Sequence, residues 1–89
     1  MTGRRVVLIE PRSTEVAGAP ELAAVRFISL LPEDWDYEPE FAGKRFTVRL
    51  GCPTKTDLDL DLKMARALDR IFTDSSLRAW RWTDITHHT

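Results

Sequence analysis

The strongest constraint on the fold is an amphipathic pattern of helical period over residues 56–73. At about 100° per residue, its large apolar side chains gather on one side of a helical wheel and its charged side chains on the opposite side. The apolar set is Leu60, Met64, Ala67, Leu68, Ile71 and Phe72, and the charged set is Asp59, Lys63, Arg66 and Arg70. Thr56 can cap such a helix, with Asp59 as an acidic variant of the capping-box partner. The pattern therefore predicts a helix that begins after Thr56 and ends near Thr73.

The beginning of this helix has an alternative interpretation. Leu58, Leu60 and Leu62 alternate with Asp57, Asp59 and Asp61, and this period of two also fits a strand over residues 57–62. The aspartates are spaced like the ligands of a calcium-binding loop. However, an EF-hand loop requires glycine and glutamate at the positions of Leu62 and Leu68. We therefore expect no metal site here.

Two further segments precede the middle of the chain. Residues 4–10 are rich in β-branched side chains and end at Pro11, which predicts a strand. Pro20 suits the first turn of a helix, and apolar residues recur at helical spacing as far as Leu31. A strand over residues 24–31 is the alternative, and Pro32 would end either element.

The second half of the chain contains two more predicted strands. In residues 44–50, Phe46, Val48 and Leu50 alternate with polar side chains, which is typical of a half-buried strand. The run at residues 51–53, Gly-Cys-Pro, is expected to end that strand. Tryptophan, threonine and isoleucine alternate in residues 77–86 and predict a final strand.

The order of elements is then strand, helix, strand, helix, strand. We expect one small domain over residues 1–89, α+β or α/β, with a three-stranded sheet covered by two helices. Each connection between successive strands is long enough for a crossover, so the sheet could be partly parallel, and the strand order is left open. Residues 87–89 are expected to fray at the C-terminus.

Composition limits the classes of function. The formal net charge is −1, whereas a general nucleic-acid binder carries a clear basic excess, so nucleic acid is an unfavoured partner. No apolar run approaches the length of a membrane span, so no membrane association is expected. Cys52 is the single cysteine, which excludes an intrachain disulfide and favours a reducing compartment, the cytoplasm.

Catalytic signals are weak in this sequence. Cys52 with His87 or His88 is the candidate nucleophile and base, but nothing in the local sequence positions either histidine near the thiol. The four glycines are scattered singly, so no glycine-rich phosphate loop exists. We expect a protein that is not an enzyme and that uses no cofactor.

The functional prediction comes from residues 33–41, EDWDYEPEF, here called the acidic segment. It contains five carboxylates and no basic residue, interleaved with three aromatic rings. Carboxylates attract lysine and arginine, and aromatic rings supply contact area at low entropic cost. The pattern predicts a loop that binds a basic protein surface, or alternatively a solvated loop whose Trp35 and Phe41 fold back on the core. The predicted contact residues are Glu33, Asp34, Trp35, Asp36, Tyr37, Glu38, Glu40 and Phe41.

These features favour a non-enzymatic protein-binding module, for example a phage-encoded or bacterial inhibitor that docks the acidic segment on a basic partner. One alternative is a small structural subunit of a phage-type assembly, which would associate with itself. Another is a nucleic-acid-binding domain, because guanidinium groups bind phosphates and indole rings stack on bases. The residues of that alternative face are Lys44, Arg45, Arg49, Arg78, Trp80, Arg81 and Trp82.

Overall fold

The computed structural model of the protein describes residues 2–13, 18–53 and 56–86. The predicted frayed tail, residues 87–89, lies outside these ranges. In chain order the elements are β1 (Thr2–Pro11), α1 (Pro20–Ser29), β2 (Asp36–Ala42), β3 (Arg45–Pro53), α2 (Asp57–Ile71), a 3₁₀ turn (Ser75–Leu77) and β4 (Trp80–Asp84).

The four strands form one antiparallel sheet in the order β2-β3-β1-β4. β1 and β2 run in the same direction, because both are antiparallel to β3, which lies between them. In the same way, β3 and β4 run in the same direction, because both are antiparallel to β1, which lies between them. Each helix therefore joins two parallel strands that a third, antiparallel strand separates. This β-α-β-β-α-β order is the split β-α-β topology of ferredoxin-like domains, and the fold alone does not define a function.

The expected three-stranded sheet in β-α-β-α-β order is wrong. The connections also allowed a partly parallel sheet, but every strand pair is antiparallel. The missing strand is β2, which lies in the acidic segment that the sequence predicted as a loop. Acidic residues and proline disfavour strands, and they obscured the period of two in this segment. Pro39 is tolerated because β2 is an edge strand. β3 also continues to Pro53, through the glycine and cysteine where a break was predicted.

Both predicted helices are confirmed. Thr56 Oγ1 accepts a hydrogen bond of 3.0 Å from the backbone N–H of Asp59, so the N-terminal cap of α2 forms as predicted. Residues 57–62 belong to α2, and the alternative strand there is wrong. The alternative strand over residues 24–31 is also wrong, because α1 covers Pro20–Ser29. The final strand is shorter than predicted, since the 3₁₀ turn precedes it.

One core lies between the two helices and one face of the sheet, here called the inner face. Phe46, Val48 and Leu50 of β3 are fully buried on this face, which confirms their predicted alternation. The remaining core side chains include Val7 and Ile9 of β1, Phe27 of α1, and Leu60, Met64, Leu68 and Ile71 of α2. Both helices bury their apolar sides in this core, and the opposite face of the sheet, here called the open face, lies away from them.

Candidate functional site: the acidic edge strand

The acidic segment forms the outer edge of the sheet. β2 pairs with β3 on one side, and no other described strand pairs with its second side. Tyr37, Pro39 and Phe41 lie opposite Leu50, Val48 and Phe46, so they share the inner face. Because successive side chains of a strand point to opposite faces, the carboxylates between them lie on the open face. These are Asp36, Glu38 and Glu40.

The turn that leads into β2 supplies the other two carboxylates. Glu33 and Asp34 are both exposed, and they lie between α1 and the start of the strand. The next residue, Trp35, is only 9% exposed and belongs to the core. Its backbone N–H donates to the Pro32 carbonyl at 3.1 Å. Trp35 therefore anchors the acidic segment instead of presenting its ring to a partner.

The five carboxylates of this segment are exposed, and none of them forms an ion pair within the described ranges. Carboxylates elsewhere in the molecule do form such pairs. Glu10 bonds Arg81, Asp61 bonds Arg5 and Asp74 bonds Arg26, each at 3.1 Å. The carboxylates of the edge are thus free to accept hydrogen bonds from a partner.

Two basic side chains of β3 lie beside β2. The register places Arg49 opposite Glu38 and Arg45 opposite Ala42. Asp36 lies opposite Gly51, which has no side chain. The negative charge is therefore most concentrated at the beginning of the strand, where Asp36 follows the two acidic residues of the preceding turn.

Two aromatic rings of the edge strand are half exposed. Tyr37 is 51% exposed and Phe41 is 46% exposed. The centroid of the Phe41 ring lies 5.6 Å from that of Phe46, so one side of Phe41 packs against the core while the other remains open. A partner that lies along this edge would meet carboxylates on the open face and aromatic rings on the inner face.

The alternative Arg/Trp set does not form one surface. Trp80 is buried and Trp82 is half buried, both on the inner face. Arg45, Arg49 and Arg81 lie on the open face, as their positions in the ladder require. The other two members are exposed outside the strands: Lys44 lies in the turn between β2 and β3, and Arg78 follows the 3₁₀ turn.

Cys52 lies in the buried part of β3, and burial raises the pKa of its thiol. A raised pKa reduces the thiolate fraction on which nucleophilic reactivity depends. The two histidines that the sequence offered as its base lie outside the described residues. In this setting Cys52 behaves as a small apolar side chain of the core.

Two general features of the molecule bear on a site. No group of three or more histidine, cysteine, aspartate or glutamate side chains in the described ranges is arranged to hold a metal ion. Within the same ranges, no helix has the length and apolar character needed to cross a membrane.

Comparisons with family models, curated proteins and solved structures find no match to this chain.

Sequence reasoning identified the residues of the acidic segment but not their arrangement. The period of two between the acidic and the aromatic or proline positions was the signal that could have revealed β2 and its two unlike faces. Nothing in the local sequence indicated that Arg49 would lie opposite Glu38. That pairing depends on the register between two strands, which the turn at Gly43, with a φ of 65°, connects.

Proposed function

We propose that this domain is a non-catalytic protein-binding module whose edge strand β2 docks on a basic surface of another protein. The observation that carries the proposal is the set of five exposed carboxylates without ion pairs, next to two half-exposed aromatic rings. Exposed carboxylates accelerate encounter with a basic surface and select against acidic ones. Tyrosine and phenylalanine supply the apolar contact area that such a complex needs.

The docking proceeds through side chains and not through addition of a strand. Pro39 lies in the middle of β2 and has no backbone N–H, so the outer edge cannot offer a continuous ladder of hydrogen bonds. Proline and charged side chains are the usual means by which natural proteins protect an edge strand from pairing. The partner therefore approaches the carboxylates and rings from the side.

A second copy of the chain is a poor partner for this edge. If two β2 strands paired antiparallel around a two-fold axis, Asp36, Glu38 and Glu40 would lie against the same residues of the other copy. Like charges directly opposite each other destabilise a strand pair. A self-assembling structural subunit that uses the acidic edge is therefore disfavoured.

Nucleic acid is also a poor partner. Domains with a four-stranded sheet bind single-stranded RNA by stacking bases on aromatic rings of the exposed sheet face. The described residues of the open face include no aromatic side chain. The carboxylates of β2 on that face would also repel phosphates.

Proteins that handle nucleic acids present basic grooves, and an acidic edge that occupies such a groove would inhibit its owner by excluding phosphates. The domain would act in the cytoplasm, where Cys52 stays reduced. A phage or a bacterium would encode such an inhibitor.

The test is a capture experiment with four forms of the chain in host-cell lysate. In the first variant all five edge carboxylates become amides: Glu33→Gln, Asp34→Asn, Asp36→Asn, Glu38→Gln and Glu40→Gln. A smaller variant, Asp34→Asn with Asp36→Asn, is matched by a control, Glu21→Gln with Asp69→Asn, that neutralises two exposed carboxylates on the helices. We expect the unaltered chain and the control to retain a basic protein at low salt. The edge variants should fail to capture this protein, and high salt should release it from the unaltered chain.

Each other outcome argues against the proposal. Equal capture by all forms would remove the acidic edge from the interface. Loss of capture in the control as well would show that net charge, and not the edge, is responsible. Capture of the same chain alone would favour a self-assembling subunit.

A further inference from the structure

The inner face of the sheet carries charge at only two of its described positions, Arg5 of β1 and Asp84 of β4. The register places Arg5 opposite Leu50 and Asp84 opposite Val7, so both share a face with core residues. A charged residue at such a position breaks the alternation that directs apolar side chains inward. In natural domains, breaks of this kind are expected at functional sites.

Both charged residues line the same cleft. It has a volume of about 200 Å³ and lies between α2 and the strands β1 and β4. Val7, Met64 and Leu68 are buried and form its apolar floor, and the half-buried ring of Trp82 forms a wall. Asp61 of α2 completes the rim. The cleft thus combines an apolar interior with three charged groups.

The rim carries an excess of negative charge. The Arg5 side chain is only 13% exposed, and its Nε donates to Asp61 Oδ1 at 3.1 Å, so these two charges compensate each other. Asp84 has no basic partner among the residues that the structure describes. Its Oδ1 accepts hydrogen bonds from the N–H of Thr86 at 2.9 Å and from the Thr86 hydroxyl at 2.6 Å. Its Oδ2 accepts none from those residues and is available to a ligand.

We propose that this cleft binds a small organic cation, an alkyl or arylalkyl amine whose ammonium group lies at Asp84. Its apolar body would occupy the cleft between Trp82 and α2. An indole ring attracts a cation that lies within about 6 Å of the ring centroid, and a charge-assisted hydrogen bond to the exposed Asp84 carboxylate adds to this preference. The volume is below the range of about 300–1,000 Å³ for drug-sized ligands, so the amine is small. The site does not depend on the proposed docking edge, because β4 and β2 are opposite edges of the sheet.

Phenethylamine is a suitable probe, with 3-phenylpropionate as an anion of similar size. The experiment titrates each probe into the ¹⁵N-labelled protein and follows the amide and indole signals by NMR. We expect phenethylamine to shift the indole N–H signal of Trp82, which a Trp82→Phe variant identifies, and to leave those of Trp35 and Trp80 in place. A ligand of this size should bind with a Kd on the order of 1 mM, and phenylpropionate at least about tenfold more weakly.

Two variants separate a specific site from general attraction. Asp84→Asn keeps the size of the side chain and removes its charge, so it should weaken phenethylamine binding at least about fivefold. Asp69→Asn neutralises an exposed carboxylate on α2 outside the cleft and should leave binding unchanged. The proposal is overturned if the Trp82 signal stays in place up to about 10 mM phenethylamine. Equal binding of the two probes, or an Asp84→Asn variant that binds the amine as well as the unaltered protein, would also overturn it.

Discussion

The two acidic segments of this chain use their carboxylates in opposite ways. In residues 57–61, alternating aspartates begin helix α2, where negative charge is favourable near the N-terminal end of the helix dipole. Asp59 lies 3.6 Å from Lys63 Nζ, and Asp61 bonds Arg5, so these charges are satisfied within the domain. In the acidic segment no carboxylate has such a partner among the described residues. The difference shows that acidic residues of similar density serve the fold in one place and remain available to a partner in the other.

The backbone of the two segments also differs from what their sequences indicate. Asp-Leu-Asp-Leu-Asp has the alternation of a strand and forms a helix, whereas the acidic segment has the composition of a loop and forms a strand. The choice between helix and strand depends on which apolar side chains are buried in the core. Leu60 is fully buried, while Leu58 is 71% exposed. A strand would place both leucines on one face, and this does not match their observed burial.

The largest effect is expected where the acidic segment meets the core. Replacing Trp35 with alanine should lower the free energy of unfolding by about 3–5 kcal/mol, because a large buried ring is lost. Replacing the half-exposed Tyr37 with alanine should cost about 1 kcal/mol or less. Urea denaturation followed by circular dichroism measures both values. Equal losses for the two variants would mean that Trp35 is not the anchor of the segment.

The next effect distinguishes helix from strand in the other acidic segment. Leu60→Ala should cost about 2–5 kcal/mol, since this side chain is fully buried. Leu58→Ala, two residues earlier, should change the free energy of unfolding by about 0.5 kcal/mol or less. In a strand both side chains would share a face, and their substitutions would have similar effects. The same urea experiment decides between these results.

A smaller effect, dependent on pH, is expected from a paired carboxylate. Hydrogen bonds from the Arg26 side chain and from the side chain and backbone N–H of Ser76 hold the pKa of Asp74 well below its usual range. A carboxyl group with a lowered pKa in the folded state stabilises the fold above its unfolded pKa of about 3.9. That contribution is lost as the pH falls through the lower, folded value.

Asp74→Asn should therefore be less stable than the unaltered protein at neutral pH, and the difference should shrink as the pH falls below about 4. Urea denaturation at a series of pH values measures it. Asp36→Asn, which removes a carboxylate without an ion pair, is the control. A difference for Asp74→Asn that stays constant down to about pH 2 would contradict the role assigned to its charge.

The smallest effect is expected from neutralising the edge itself. Asp34→Asn with Asp36→Asn should change the free energy of unfolding by about 0.5 kcal/mol or less, because exposed carboxylates without partners contribute little to stability. Thermal and urea denaturation at low and high salt measure this change. A loss above about 2 kcal/mol would show that these carboxylates serve the fold, as those of α2 do.

The sequence was sufficient for the elements that carry a strong local signal. The apolar stripe of α2, its Thr56 cap and the alternation in β3 each depend on neighbours a few residues apart, and each is confirmed. The sheet could not be deduced in the same way. Its order depends on the pairing of β1 with strands far along the chain. In addition, the acidic residues of β2 have a low intrinsic preference for the β conformation.

The same contrast between local and long-range signals applies to the candidate site. The pattern of residue types was sufficient to select the acidic segment, whereas Trp35 turned inward because the small core needs large side chains. The two charged residues of the inner face, Arg5 and Asp84, were not recognised at all. Those two positions lie about eighty residues apart, and only the three-dimensional arrangement of β1 and β4 brings them to one side of the sheet.

The strand order also determines when this domain can fold during its synthesis. β1 is made early, but one of its two neighbours is β4, and the pairing of Ile9 with Trp82 spans most of the chain. Contacts between such distant positions slow folding, because a large loop must close before they form. A ribosome must therefore finish β4 before the sheet can be completed. Until then, the apolar side of the nascent β1 lacks part of its native cover.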